Sequence, residues 1–370
     1  MNAVRFLFEE YCDDLGPAKI VHLHDPACGM HGIVVIDNVA CGPSIGGVRM
    51  ATDVSTQEVF RLARAMTLKN AAAGLAHGGG KAGIVGDPRR PDKARIIRAF
   101  ARAIRDLMEY TPGPDMGTDE TCMGWIFDEI GRALGRPRVL GGIPLDEIGA
   151  TGFGIAECAE VAAPFCDLNL RGATLVVEGF GNVGRHVAHF LEEKGVKLVA
   201  ASDRHGTIHD PAGIPVAELV KVKAASGSVL EYSQGNKLKP ADLFGLPCDI
   251  LIPAARPDSI HKGNVNGIQA KLILQGANIP ATPEIEKQLH ERRVLIVPDF
   301  IANAGGVICA AVEYRGGTEK QAFEEIVQKI RHNTKEVLTR THQEGISPRE
   351  SGLTLARERV CEAMSFRACE

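Results

Sequence analysis

Residues 173–203 read ATLVVEGFGNVGRHVAHFLEEKGVKLVAASD. The opening run, ATLVVE, is short and β-branched enough for a buried strand. Gly179, Gly181 and Gly184 then form G-x-G-x-x-G, with Phe180, Asn182 and Val183 between them. An amphipathic stretch follows, closes at Gly195, and leads into a second apolar run, VKLVAAS. A strand, a glycine turn, a helix and a second strand make a βαβ unit, and in that setting the turn is a dinucleotide-binding fingerprint. Bare backbone lets the chain turn tightly and approach a pyrophosphate, while the helix N-terminus offers N–H donors and a positive dipole. Asp203 ends the second strand, where a carboxylate can accept from the adenosine ribose hydroxyls, which points to NAD. Arg204 and His205 come next. A cation there would hold a 2′-phosphate, so NADP stays open.

Outward from this unit, DILIPA (249–254), KLILQG (271–276) and VLIVPD (294–299) are further apolar runs with helical stretches among them. Strands alternating with helices imply a parallel sheet covered on both faces. From Thr318 the pattern is helical, interrupted at Gly345 and Pro348. Toward the N-terminus, AKIVHLH (18–24) and GIVVIDN (32–38) predict two strands. Ser55-Thr-Gln-Glu58 is a capping box that opens a helix over 56–73. HGGGK (77–81) reads as a glycine turn, 91–109 as an amphipathic helix, and TPGPDMGTDET (111–121) as a polar loop.

A chain of 370 residues accommodates about two domains. With 45% hydrophobic and 24% charged residues it is not a disordered chain. A formal net charge of −4 provides no footprint for nucleic acid, and no apolar run approaches the ~20 residues a membrane span needs. The ten cysteines form no C-x-x-C pair, and MNAVRFLFEEY lacks the apolar core of a secretory signal. Free, mostly buried thiols and a cytoplasmic location are therefore expected. His22 and His24 share a strand face, and His186 and His189 a helix face, but neither pair has the four ligands of structural zinc, so no metal is expected.

Lys69, at the end of an apolar helical stretch, and Lys81, after the triple glycine, form a second constellation with Asp115. Two lysines facing one ligand would suit an acidic substrate: one as a cation, the other, with its pKa lowered by burial, as a neutral base. Asp115 could exchange protons with that base. On spacing alone, two surface lysines and a turn aspartate are the favoured reading.

GGVRM (46–50), MTLKNAAAGLAHGGGKAGIVGDP (66–88), GPDMGT (113–118), ATGFG (150–154), GFGNVG, PAA (253–255), QGAN (275–278) and PDFIANAGGV (298–307) occur in this order. On these blocks the chain resembles the Glu/Leu/Phe/Val amino-acid dehydrogenase family. The resemblance implies an α/β catalytic domain over 1–145 and a Rossmann domain over 146–317. It also implies that C-terminal helices (318–370) pack back on the first domain. It casts Lys69 as the ligand of the substrate α-carboxylate, Lys81 as the catalytic base and Asp115 as the proton shuttle. Thr151, Ala254 and Asn278, with the glycine turn, fall at cofactor positions, and Asn303 falls near substrate and nicotinamide. The implied reaction is reversible oxidative deamination of an L-amino acid to its 2-oxo acid and ammonium, with NAD as acceptor and NADP not excluded. A homo-oligomer is implied as well.

Glutamate-using members carry a Lys before the Gly-Gly of the first block and a Ser three residues after the Val of N-A-G-G-V. Here these positions are Ile45 and Ala310. An unpaired carboxylate buried there would cost several kcal/mol. The implied side-chain pocket, Ile45, Gly46, Gly113, Val307 and Ala310, therefore points to a branched-chain or aliphatic substrate. A phenylalanine-type pocket is the runner-up, because Gly113 and Ala310 are small. The stretch SDRHGTIHDPAGI (202–214) looks more like glutamate-type members. A hydroxy-acid or malic-type dehydrogenase and a non-catalytic nucleotide-binding regulator are the competing functions.

Overall fold

The computed structural model describes residues 11–367, which divide into two compact units. One holds the described residues up to Pro144, Ala310–Gln321 and those from Leu355 on; the other holds Leu145–Cys309 and Ala322–Thr354.

The first unit contains β1 (Lys19–Asp25), β2 (Met30–Asn38), β3 (Ser44–Ala51), α1 (Thr56–Ala72), β4 (Gly78–Val85), α2 (Lys93–Ala103), β5 (Tyr110–Pro114) and α3 (Glu120–Ile130). Its five strands lie in the order β1-β2-β4-β3-β5. β2 is antiparallel to β1 and β4, and β3 is parallel to β4 and β5. Alternate residues of β2 feed opposite faces, as the two-residue strand period requires. Val34 and Ile36 pack with Ile97 and Phe100 of α2 and Met123 of α3, while Ile33 and Val35 pack with Val59 and Ala63 of α1. Half of the expected capping box forms: Ser55 Oγ accepts from Glu58 N at 3.2 Å, while the Glu58 carboxylate accepts from Arg49.

Three local expectations change. The triple glycine is not a turn but the first half of β4, between β2 and β3. A Cβ on Gly79 would lie 2.0 Å from the Thr67 nitrogen of α1, and one on Gly78 would lie 1.9 Å from Asn38 O. The glycines mark close backbone approach, not chain reversal. The first four residues of the expected loop, 111–114, instead belong to β5, which pairs with β3. The helix predicted over 91–109 is regular only over Lys93–Ala103.

The second unit contains α4 (Ala150–Ala162), β6 (Thr174–Glu178), α5 (Asn182–Glu193), β7 (Lys197–Ser202), β8 (Thr207–His209), α6 (Val216–Ser226), β9 (Asn236–Leu238), β10 (Ile250–Pro253), β11 (Leu272–Leu274), α7 (Pro283–Glu291), β12 (Leu295–Val297) and α8 (Asp299–Ala302). The chain passes between the units within α9 (Gly305–Tyr314), α10 (Glu319–Glu344) and α11 (Pro348–Ser365). The sheet order is β12-β11-β10-β6-β7-β8-β9. The first five strands are parallel, as expected of this α/β layer. β8 and β9 extend the sheet antiparallel, because the chain reverses straight after β7, with Asp203 N donating to Gly206 O at 2.9 Å. β6 lies between β7 and β10, so strand order switches direction at its carboxyl end, the usual ligand crevice of an open α/β sheet.

The tail also divides differently from the expectation that all of 318–370 returns to the first unit. Residues Ala322–Thr354 group with the second unit. There Arg331 pairs with Glu157 and Glu160, both at 2.5 Å. Arg349 pairs with Glu286 at 2.5 Å and Asp299 at 3.0 Å. Among the described residues, no helix is long and apolar enough to cross a membrane. Nor does any group of three or more His, Cys, Asp or Glu among them stand ready to hold a metal ion. Only Cys122, Cys158 and Cys309 of the described cysteines are buried, fewer than expected.

Candidate active site

In the first unit, β4 carries Lys81 and the end of β5 carries Asp115. Lys81 Nζ lies 3.0 Å from Asp115 Oδ2, with the lysine side chain only 8% exposed. Gly47 of β3 makes this contact possible: a Cβ there would lie 2.7 Å from Asp115 Cβ and 3.3 Å from Lys81 Nζ. The turn that presents Asp115 is pinned at several points. Asp115 N donates to Thr118 Oγ1 at 3.0 Å, Thr118 Oγ1 donates to Val48 O at 2.8 Å, and Met50 N donates to Met116 O at 2.9 Å.

Arg49, also on β3, was not singled out from the sequence. Its Nε donates to the same Asp115 Oδ2 at 3.0 Å, and its Nη1 to Glu58 Oε1 at 2.5 Å. Burial pushes the Lys81 ammonium below its ordinary pKa, and Arg49 adds to this, against the opposing pull of Asp115. Burial alone would raise the Asp115 carboxyl, but the Lys81 and Arg49 cations hold it below the usual carboxylate range. The pair is thus a lysine that loses its proton easily beside a carboxylate that stays ionised. Lys69 lies half-buried in the last turn of α1. Its neighbour Asn70 ties that helix end to β4, donating from Nδ2 to Gly78 O at 2.7 Å.

Ile45 and Ala310 fall in one small apolar cluster together with Leu134, which was not singled out from the sequence. A Cβ on Gly113 would stand 4.0 Å from Leu134 Cβ. Gly46 has a different duty: a Cβ there would lie 1.6 Å from Gly80 O, so it permits strand pairing. Leu134 is held by the buried carboxylate of Glu313. That group accepts from Gly135 N and Ile143 N at 3.1 Å each, and from Arg136 Nε at 3.1 Å.

In the second unit, Gly179 has φ +87°, and a Cβ on Gly184 would lie 2.1 Å from Gly179 O. Phe180 is buried and its N–H donates to Ser202 O at 2.7 Å, locking the turn to the end of β7. At Gly181 a Cβ would meet nothing within 4 Å, so the turn opens outward there. Asn182 and Val183 start α5 and are half-buried. Phe180, Gly181, Asn182, Arg185 and Lys223 line a cleft of about 490 Å³, with Asp146 and Glu147 also on its wall. A bare-backbone turn, an open position and the N-terminus of a twelve-residue helix fit the pyrophosphate of a dinucleotide.

Asp203 is nearly enclosed at the end of β7. Its carboxylate accepts from His205 N and Val229 N at 2.8 Å each. It also lies 3.4 Å from Lys223 Nζ, and its side chain is only 6% exposed. Each oxygen accepts one backbone N–H that helps close the 203–229 region. On the other side of β6, Asn303 Nδ2 donates to Gly276 O at 3.2 Å and Asn278 Oδ1 at 3.1 Å. Thr151, in the first turn of α4, faces Gly306, where a Cβ would stand 3.0 Å from its hydroxyl. Ala254 follows β10 directly, with its N–H on Glu178 O at 2.7 Å, and Val307 is half-buried in α9.

Residues 17–132 match the family described as Glu/Leu/Phe/Val dehydrogenase, dimerisation domain. Residues 141–368 match Glutamate/Leucine/Phenylalanine/Valine dehydrogenase. Glutamate dehydrogenase of Aeropyrum pernix is 40% identical over 89% of this chain and 85% of its own. The NADP(+)-dependent glutamate dehydrogenase of Pyrobaculum calidifontis is 36% identical over 91% and 86%. The NAD-specific enzyme of Staphylococcus aureus is 34% identical over 89% and 84%. Among solved structures, the hetero-hexameric glutamate dehydrogenase of Thermus thermophilus in its Leu-bound form superposes with TM-score 0.85 at 30% identity, covering 96% of this chain and 91% of that one. Two family matches spanning most of the chain, over the fold just described, place it in the glutamate/leucine/phenylalanine/valine dehydrogenase family.

Proposed function

We propose that this protein catalyses the reversible oxidative deamination of an L-amino acid, and that the preferred amino acid has an apolar side chain. The observation that carries the reaction is the buried Lys81–Asp115 contact at 3.0 Å. Gly179–Gly184 and the N-terminus of α5 would hold NAD or NADP, which supplies the acceptor for the hydride leaving the substrate Cα. Lys69 pairs with the α-carboxylate. Neutral Lys81 takes a proton from the water that attacks the resulting iminium carbon, giving a carbinolamine. Asp115, ionised between transfers, relays the proton held by Lys81 to the nitrogen, which departs as ammonia while the carbinolamine hydroxyl gives its proton to the neutral Lys81 and becomes the 2-oxo group. Thr151, Ala254, Asn278 and Asn303 border the nicotinamide end in this reading.

The apolar preference rests on Ile45, Leu134 and Ala310, all nearly inaccessible and packed as one apolar cluster. None can pair with a side-chain carboxylate. Glutamate is the second reading, and the names of the relatives favour it. We propose a homo-oligomer; the hetero-hexameric neighbour supports assembly into several subunits, not their identity. The deciding experiment is a reductive-amination screen of branched, aromatic and acidic 2-oxo acids with NADH and NADPH, with and without ammonium. Ammonium-dependent turnover of aliphatic 2-oxo acids supports the proposal. Turnover without ammonium would indicate a hydroxy-acid dehydrogenase. Nucleotide binding without any turnover would indicate a regulator, and selective use of 2-oxoglutarate would overturn the apolar pocket.

A further inference from the structure

We propose that Ile279 is a positioning residue for the nicotinamide half of the dinucleotide: the turn after β11 is held there in a strained backbone conformation that fixes how Asn278 is presented. This rests on the dinucleotide reading of the glycine turn and adds to it a residue that acts through its neighbour.

Ile279 has φ +50°. A β-branched residue is crowded against its own backbone in that left-handed region, and it stays there only where the surroundings over-determine it. Asp299 Oδ2 accepts from Ile279 N at 3.0 Å, and Asp258 N donates to Ile279 O at 3.0 Å. Both backbone groups of the residue are thus fixed by partners distant in sequence. Ile260 N, donating to Pro280 O at 2.9 Å, continues the grip. Asp299 is itself held: its N–H donates to Gln275 Oε1 at 2.9 Å, and its Oδ1 accepts from Arg349 Nη2 at 3.0 Å. Gln275 Nε2 and Arg349 Nε both donate to Glu286. Gln275, Glu286 and Asp299 are buried, and a buried network whose members are satisfied holds one geometry.

The turn lies at the carboxyl end of β11, on the opposite side of β6 from β7. A dinucleotide with its pyrophosphate on the glycine turn and its adenosine over β7 lays its other half on this side. Asp299 opens α8 and Asn303 follows it. Because Asn303 Nδ2 donates to Gly276 O and to Asn278 Oδ1, this single helical turn grips residues 276–279 from two points. With its oxygen engaged, the exposed Asn278 presents Nδ2, a donor. Ile279 is itself 42% exposed, so burial of its side chain does not account for an isoleucine where glycine would be free of strain. What the isoleucine supplies is stiffness. With both backbone bonds made it has few other conformations open to it, whereas glycine would have many and would carry the Asn278 amide with it.

The test pairs stability with binding on the full-length protein. Ile279→Gly should raise the melting temperature by about 2 °C, because the left-handed conformation then carries no steric penalty. It should also weaken NADH and NADPH, titrated by nicotinamide fluorescence, by at least about threefold, as a turn that presents Asn278 less than a third of the time requires. ADP, which lacks the nicotinamide riboside, should bind as it does to the unaltered protein. Ile279→Asn should keep most of the nucleotide affinity, because asparagine tolerates the left-handed region with less freedom than glycine. Asp299→Asn should lower the melting temperature less in the Ile279→Gly protein than in the unaltered one, since glycine does not have to be held. A melting temperature that does not rise, a smaller change in nucleotide binding, or equal weakening of ADP by Ile279→Gly would overturn the inference. So would an Ile279→Asn protein as weak as Ile279→Gly, or equal losses from Asp299→Asn in both backgrounds. Binding of neither nucleotide by the unaltered protein would overturn the dinucleotide reading beneath it.

Discussion

Converting the apolar wall to a charged one is the sharpest test of the substrate proposal. The double change Ile45→Lys with Ala310→Ser places an ammonium and a hydroxyl where Ile45 and Ala310 are now 5% and 9% exposed. For 2-oxoglutarate, a charge-assisted contact replaces an unpaired buried carboxylate, a gain of roughly 1.5–3 kcal/mol. For a branched aliphatic 2-oxo acid, losing the isoleucine surface removes about 1–2 kcal/mol of apolar burial. The two effects add in the ratio of kcat/KM values, and at 1.4 kcal/mol per factor of ten they predict a swing of about two to three and a half orders of magnitude toward 2-oxoglutarate. Leu134 remains beside the new lysine, so the gain belongs at the lower end if Leu134 does not give way. The assay is NAD(P)H consumption at saturating ammonium with both 2-oxo acids, on protein whose melting curve shows it folded. A folded double variant whose ratio changes less than threefold, or moves toward the aliphatic acid, would refute the pocket assignment.

Lys81→Ala should leave the NADH dissociation constant nearly unchanged while turnover falls by about 10²–10⁴, measured by binding titration beside steady-state rates; equal loss of both would contradict its role as base. Asp115→Asn and Arg49→Gln should move the acidic limb of the pH–rate profile in opposite directions. Asp115 favours the Lys81 ammonium, so its neutralisation moves the limb to lower pH, whereas Arg49 disfavours that ammonium and competes for Asp115, so its removal moves the limb to higher pH. Gly79→Ala drives a Cβ to within 2.0 Å of the Thr67 nitrogen and should cost at least about 3 kcal/mol in urea denaturation. Glu313→Ala leaves the Arg136 guanidinium and three backbone N–H groups without their acceptor; a loss of about 3 kcal/mol in stability and weaker discrimination among 2-oxo acids are expected.

The second unit was the more legible in sequence, because its signals are local. A β-branched run, three glycines at fixed offsets and a closing glycine fall within 31 consecutive residues, and each acts on its neighbours. The triple glycine before Lys81 misled for the opposite reason. Glycine marks both turns and close approaches, and only the position of α1, set by packing on Val35 and Ile33, shows which. Arg49 and Leu134 were invisible because their partners lie 66 positions away at Asp115 and across the unit at Ala310. Asp203 shows a further limit. Its place after β7 is readable from spacing, but whether its oxygens face a ligand depends on Val229 and Lys223, which arrive only when α6 folds back.

The electrostatics of the first unit follow from backbone economy. A lysine with a lowered pKa needs burial without a dedicated counter-ion, yet an ammonium buried with no partner at all would oppose folding. The chain meets both demands by giving one carboxylate oxygen two cations: Asp115 Oδ2 lies 3.0 Å from Lys81 Nζ and 3.0 Å from Arg49 Nε. Asp115 therefore stays ionised whichever way Lys81 titrates, since Arg49 remains charged throughout. When Lys81 loses its proton, Arg49 keeps the carboxylate paired, so deprotonation strands no charge. Glu58, 2.5 Å from Arg49, holds that guanidinium from the far side. A triad of this kind needs three side chains to converge between neighbouring strands, and that convergence requires a residue without a Cβ at Gly47. The glycine that looks like a feature of the sheet is thus what allows the base to lie beside its proton partner.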